Sequence, residues 1–133
     1  MAFRSMCKHF PIEKMTESLS PGFLAEKALY RDRDVGNGIV ISPRGWAFLV
    51  IEAVRRFQRS GRSSIGDRDA VLHGKLNELD PATIINLKRE VSKDARALWE
   101  QMIDPKSPMP MGHDGYLKIW ALSRPRIPGD FIL

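Results

Sequence analysis

Residues 42–60 read SPRGWAFLVIEAVRRFQRS and decide the fold. Ser42 is a good helix N-cap and Pro43 suits the first helical turn, so together they predict a helix that begins at residue 43. The apolar side chains recur at helical spacing and form one wide stripe: Trp46, Leu49, Val50, Ala53, Val54 and Phe57, with Phe48 and Ile51 beside them. Gly61 ends the pattern. We therefore predict a helix over 43–60 at the centre of the core.

Two further segments begin with the same cap signature. Ser20-Pro21 predicts a helix over 20–31, and Asp80-Pro81 predicts one over 81–103. The second of these carries a clear apolar stripe: Ile84, Leu87, Val91, Ala95, Leu98 and Met102. The apolar spacing also predicts a helix over 67–79, capped by Asp67.

The remaining segments are shorter or irregular. Residues 38–42 and 116–123 are rich in branched or aromatic side chains, so we predict two strands that pair with each other. Three prolines and two glycines predict a loop over 104–115. We interpret residues 1–12 as a loose arm and 124–133 as an extended tail. The expected fold is mainly α: one compact domain over 1–133, with about four helices and at most a small two-stranded β element.

Residues 76–89 show a superficial likeness to a helix-turn-helix, with Thr83, Asn86 and Arg89 on the second helix. The connection at Asp80-Pro81 is shorter than the usual three- to four-residue turn. Residues 67–104 also carry six Lys/Arg against eight Asp/Glu, a balance of −2 that phosphates oppose. A plain helical hairpin is therefore the better interpretation.

Composition indicates an ordinary globular protein of a reducing compartment. Of the 133 residues, 43% are hydrophobic and 28% charged, and Cys7 is the one cysteine, so no internal disulfide can form. The start of the chain has no signal-peptide-like apolar run, and no stretch approaches the ~20 apolar residues of a membrane span. We expect a cytoplasmic protein that does not enter the membrane.

Positive charge is concentrated in one stretch. The formal net charge is +5, and residues 41–66 hold five arginines against Glu52, which gives +4. Five neighbouring arginines form the candidate anion-binding or nucleic-acid-binding site: Arg55, Arg56, Arg59, Arg62 and Arg68. Arginine is suited to this role because its planar guanidinium matches the geometry of phosphate.

A structural role for these arginines is the competing hypothesis. Cations near a helix C-terminus are favoured by the helix dipole, and Asp67 and Asp69 are available as ion-pair partners. Within the helix, Glu52 is three and four residues from Arg55 and Arg56, which predicts an ion pair with one of them.

Two function classes follow from these observations. The first is a small, basic, non-enzymatic protein that binds DNA or RNA phosphates through the arginines, helped by Lys118, Arg124 and Arg126. The alternative is a helical protein–protein adaptor or regulator, including a homo-oligomer, with an interface at a helical face or at Met109 and Met111.

An enzyme is less favoured than either class. The cysteine and histidines are Cys7, His9, His73 and His113, and they lack the paired spacing of a zinc site or an evident nucleophile–base pair. The glycines match neither the dinucleotide-binding nor the P-loop spacing. We therefore predict no catalytic residues, no metal and no cofactor.

Overall fold

The structure, a computed structural model, describes residues 19–123, and this part of the chain is mainly helical. Its elements in chain order are helix α1 (Pro21–Lys27), strands β1 (Arg33–Gly36) and β2 (Ile39–Ile41), and helices α2 (Pro43–Gln58), α3 (Pro81–Ile103) and α4 (Gly112–Ser123). Two short 3-10 helices, Asp67–Asp69 and Gly74–Glu78, lie between α2 and α3. The four helices and the two-stranded antiparallel sheet of the described region confirm the predicted fold class. The predicted arm 1–12 and tail 124–133 lie outside the described residues.

Helices α1, α2 and α3 begin where their cap signatures predicted. In each, proline occupies the start of the helix and the preceding side chain accepts a hydrogen bond from a backbone amide. The donor–acceptor distances are 3.2 Å for Phe23 N to Ser20 Oγ, 3.0 Å for Gly45 N to Ser42 Oγ, and 3.1 Å for Thr83 N to Asp80 Oδ2. Thr83 donates from its side chain and its backbone amide, and these hydrogen bonds lower the pKa of Asp80. Each cap satisfies an amide that would otherwise have no partner within its helix.

Helix α2 is the centre of the core, as its apolar stripe predicted. It packs against α1, α3 and α4. Trp46, Leu49, Ala53 and Phe57 are all buried. The Phe57 ring meets the edge of Trp99 on α3 at 5.3 Å between centroids and an interplanar angle of 74°, a favourable arrangement of two aromatic quadrupoles.

The strand prediction was half wrong. Residues 39–41 form β2, but the partner strand is Arg33–Gly36 and not 116–123, which lie in α4. The hairpin forms locally because Asn37 and Gly38 have φ values of 54° and 73°, a backbone that matches the twist of a tight turn. Residues 116–123 were assigned to the wrong element because a short apolar run fits a strand and a buried helix equally well.

Other boundaries also differ from prediction, and α1 ends at Lys27 and not at residue 31. Residues 67–79 form the two short 3-10 helices in place of one α-helix, so α3 has no long partner for a helical hairpin. The backbone is extended at Ala70 and at His73, which separates the two 3-10 helices, and the second begins at Gly74 with φ of 60°. The predicted loop 104–115 is also shorter than expected, because α4 already begins at Gly112.

Helix α1 ends in a backbone conformation that leucine rarely adopts. Leu29 follows the C-cap Ala28 and has φ of 57°. Its amide donates to the Glu26 carbonyl (3.4 Å) and the Tyr30 amide donates to the Ala25 carbonyl (3.1 Å), which are the two bonds of a Schellman motif. The Leu29 side chain is 80% exposed, so little packing offsets the cost of this conformation.

Within residues 19–123, no helix combines the length and the apolar character needed to cross a membrane.

Candidate functional site

The five predicted arginines fall into different surroundings. Arg55 and Arg59 lie one turn apart at the end of α2, and both are exposed. Together they line a cleft of about 250 Å³ with Gln58, whose floor includes Met102. Gly112, the first residue of α4, also borders this cleft. The cleft thus presents two guanidinium groups above an apolar floor.

An acidic side chain reaches the same cleft. Asp114 Oδ2 accepts a hydrogen bond from Arg59 Nε at 3.3 Å and forms an ion pair with Arg59 Nη2 at 3.2 Å. The side chains of this pair are 72% and 44% exposed, so the ion pair is solvent-screened and contributes little to stability. In the described region Arg55 has no ion-pair partner. A ligand anion therefore meets one free guanidinium and one that is weakly held.

Arg56 lies beside this pair and contacts the acidic residue of α2. Arg56 Nη2 is 3.9 Å from Glu52 Oε1, the i,i+4 ion pair that the sequence predicted as one of two options. The same carboxylate oxygen is 2.7 Å from His73 Nε2. Glu52 thus contacts two neighbouring side chains. These contacts weaken the electrostatic repulsion between its carboxylate and an incoming phosphate.

Arg62 takes part in a buried network. Its side chain pairs with Asp69, which is 1% exposed and whose other carboxylate oxygen accepts a hydrogen bond from the Gly66 amide at 2.9 Å. The network ties the loop after α2 to the 3-10 helix Asp67–Asp69. Arg62 therefore supports the fold directly, whereas Arg68, on that 3-10 helix, is exposed.

Lys118 points into the protein and is not part of an exposed surface. It is 5% exposed, and its Nζ donates to the carbonyls of Ser60 (2.7 Å) and Arg62 (2.6 Å) while lying 4.5 Å from the centre of the Phe57 ring. Burial, and then the charge of Arg62, lower the pKa of Lys118. The side chain fixes α4 to the end of α2. Arg124 and Arg126, expected to act with it, lie outside the described residues.

The exposed side of α2 contains two more residues that the sequence analysis did not assign to the site. Arg44 and Phe48 are exposed, and Phe48 retains 47% of its accessible surface. Helical spacing places them on the same side as Arg55 and Arg59, at intervals of four, seven and four residues. The exposed Arg56 borders this side, and we call the five residues together the basic face of α2: Arg44, Phe48, Arg55, Arg56 and Arg59. Plotting the sequence of α2 around a helix would have shown that residues 44, 48, 55 and 59 share one side.

The methionine-rich loop does not offer the surface suggested for an adaptor. Met109 and Met111 are 7% and 3% exposed and belong to the hydrophobic core. Their thioethers fill space between the helices, which is a common role of methionine.

A larger cleft of about 480 Å³ lies between α1, α3 and the loop that follows α3. Its polar lining includes Tyr30 and Asp94. Asp94 accepts a hydrogen bond from Trp46 Nε1 at 2.7 Å, and the Arg33 guanidinium lies 3.7 Å from the centre of the same indole. Burial, and then the nearby Asp94 carboxylate, raise the pKa of Tyr30 above its ordinary value of 10.0. Tyr30 therefore stays protonated at neutral pH and does not serve as a base there.

Among the side chains that the structure describes, which do not include that of His113, no group of three or more His, Cys, Asp or Glu is arranged to hold a metal ion. Cys7 and His9, considered as ligands or as catalytic groups, lie outside the described residues. No protein-family model, curated protein or solved structure matches this chain.

Proposed function

We propose that the basic face of α2 binds a polyanion, with nucleic-acid phosphates as the ligand. The observation that carries the proposal is the alignment of Arg44, Arg55 and Arg59 along one exposed side of a single helix. Arg44 and Arg59 are 15 residues apart, which corresponds to about 22 Å at 1.5 Å per residue. A row of cations of this length matches a chain of regularly spaced phosphates better than it matches one small anion.

The helix dipole does not account for the whole row. Cations at the end of α2 are favoured by the partial negative charge of the helix C-terminus, which is a sufficient reason for Arg55, Arg56 and Arg59. Arg44 lies in the first turn, directly after Pro43, where the partial charge is positive and a cation is disfavoured. Its guanidinium lies beside Gly22 at the start of α1 and the residue is still exposed, so it can contribute positive charge to a ligand at this end of the helix.

The balance of charge on the helix also supports the proposal. Four arginines (residues 44, 55, 56 and 59) against Glu52 leave +3 on this face. Glu52 is already engaged by His73 and Arg56, and Asp114 neutralises part of Arg59. Binding through such a face is electrostatic, has little sequence preference and weakens steeply as salt concentration rises.

A salt titration tests the proposal. Fluorescence anisotropy with a labelled 20-nucleotide strand and a 20-base-pair duplex measures affinity at several salt concentrations. Three phosphate contacts predict a log–log slope of about −2 for the single strand and about −3 for the duplex. The double variant Arg55→Gln/Arg59→Gln should reduce the size of the slope by about 1.4 for the single strand and about 1.8 for the duplex, because two contacts are lost.

A matched control removes the same charge elsewhere. Arg89 and Lys93 are exposed on α3, so Arg89→Gln/Lys93→Gln lowers the net charge equally without altering the basic face of α2. This control should keep the parental slope. Absence of binding by the parent at low salt, or equal effects of the two double variants, would contradict the proposal and favour the adaptor hypothesis.

A further inference from the structure

We infer that the nucleic acid bound by the basic face of α2 is single-stranded, and that one of its bases stacks on Phe48. This inference rests on the proposed function and adds the chemical class of the ligand. The juxtaposition that carries it is an exposed aromatic ring between cations: Phe48 follows Arg44 by four residues and precedes Arg55 by seven, on the same side of the helix.

Phe48 differs from the other exposed apolar residues of the described region. The exposed large hydrophobic residues of that region are Leu29, Val40, Phe48, Ile85, Ile103, Leu117 and Leu122. Phe48 is the aromatic member of this set, and it is the member that lies on the basic face. An aliphatic side chain offers a base only apolar contact, whereas an aromatic ring offers a flat surface on which the base can stack.

The neighbourhood of Phe48 leaves room for a base. The His73 ring is tilted by 57° relative to the Phe48 ring, with 6.1 Å between centroids, so the two rings do not stack face to face. His73 is held in turn by its 2.7 Å contact with Glu52. The imidazole thus supports Phe48 from one side, while 47% of the phenylalanine stays accessible.

The combination of features points to a single strand. In a duplex, the faces of the bases are covered by their neighbours and a helix in the major groove reads only their edges. Phe48 carries no hydrogen-bond donor or acceptor with which to read an edge. A single strand exposes its base faces, and arginines on either side of the ring can hold the flanking phosphates. Every base has such a face, so little sequence preference is expected.

Four ligands separate stacking from charge. A thymidine 20-mer and a uridine 20-mer present phosphates and exposed bases, a 20-base-pair duplex presents phosphates with covered bases, and heparin presents charge without bases. Phe48→Ala should weaken binding of the better single strand by roughly 5- to 150-fold while changing duplex and heparin binding by less than about twofold. Phe48→Tyr should retain parental affinity for the single strand. Comparing the uridine 20-mer with a deoxyuridine 20-mer, which carries the same base, identifies which sugar is preferred.

Control variants distinguish failure of the stacking inference from failure of the proposed function. Ile85→Ala removes an exposed apolar side chain of α3 and should leave all affinities unchanged. Equal weakening of single strand, duplex and heparin by Phe48→Ala, or no weakening at all, would overturn the inference. If Arg55→Gln/Arg59→Gln still weakened every ligand in that case, the proposed function would stand. A parent protein that bound neither nucleic acid nor heparin would overturn the proposed function and the inference together.

Discussion

The inward and outward sides of α2 place two phenylalanines in opposite environments. Phe57 is 0% exposed and packs against Trp99, whereas Phe48, nine residues earlier, is 47% exposed and lies among arginines. Burying an aromatic ring stabilises a fold by several kcal/mol, but a ring left half in water contributes much less. The fold therefore depends on one side of this helix, and the other side is available for binding a ligand.

The most direct test of this comparison is to truncate both rings. Phe57→Ala should lower the free energy of unfolding by about 3–5 kcal/mol, because it leaves a cavity in the core. Phe48→Ala should lower it by less than about 1 kcal/mol. Urea denaturation followed by circular dichroism measures both. A loss of similar size in the two variants would show that Phe48 serves the fold and would remove the distinction between the two sides.

The loop after α2 allows the same comparison with charged residues. Arg62 pairs with the buried Asp69, and Arg59 pairs with the exposed Asp114. Arg62→Ala should reduce the free energy of unfolding by about 2–4 kcal/mol, because it leaves a buried carboxylate with only the Gly66 amide. Arg59→Ala should change it by no more than about 0.5 kcal/mol. Equal urea midpoints for the two variants would contradict the assignment of Arg62 to the fold.

Local signals in the sequence were sufficient to predict α2 and its two sides. The cap and the three- and four-residue spacing depend only on neighbouring residues, so they identified the helix and its buried stripe. The same spacing placed Arg55 and Arg59 together. Phe48 was not predicted to be exposed, because it is apolar and was grouped with the buried stripe. Its angular position on the helix places it on the opposite, exposed side.

Other features depend on contacts that the local pattern does not contain. The sequence offered Asp69 as an ion-pair partner for the arginines but did not indicate which one. A 3-10 turn brings Asp69 to Arg62, where the spacing had predicted an α-helix. Lys118 is buried because two loop carbonyls and the Phe57 ring surround its ammonium. Once residues 116–123 are assigned to a strand, neither the position of α4 nor this contact can be deduced.

Tyr30 lies between the buried and exposed extremes, and alkaline titration measures how far its environment differs from water. Its pKa is raised in the folded state, so the unfolded protein loses the phenolic proton first as the pH rises above 10.0. The corresponding stability is present below that pH and is lost above it, by at most about 1.4 kcal/mol for each pH unit.

Tyr30→Phe removes this titration and should make the stability less dependent on pH between 9 and 11. The pKa of Lys118 is lowered, so this group makes the protein more stable as the pH rises toward its ordinary value of 10.5. This contribution is the same in the parent and in the variant, so it cancels in their difference. The difference between parent and variant in urea midpoint against pH therefore isolates Tyr30. Parallel pH profiles would mean that the hydroxyl is effectively in water.

The smallest expected effect concerns Leu29, whose side chain faces solvent but whose backbone is constrained. At φ of 57° the Cβ of leucine causes steric strain, which glycine lacks because it has no Cβ. The Leu29 residue is 80% exposed, so packing offsets little of this strain. Leu29→Gly should therefore raise the free energy of unfolding by about 0.5–1 kcal/mol, since glycine is the residue preferred after a helix with this pair of closing hydrogen bonds. Leu29→Ala is the matched control, because it removes the side chain and keeps the strained backbone, so its urea midpoint should stay near that of the parent. If Leu29→Gly did not raise the free energy of unfolding, the leucine side chain would be making stabilising contacts that offset its backbone strain, despite its exposed position.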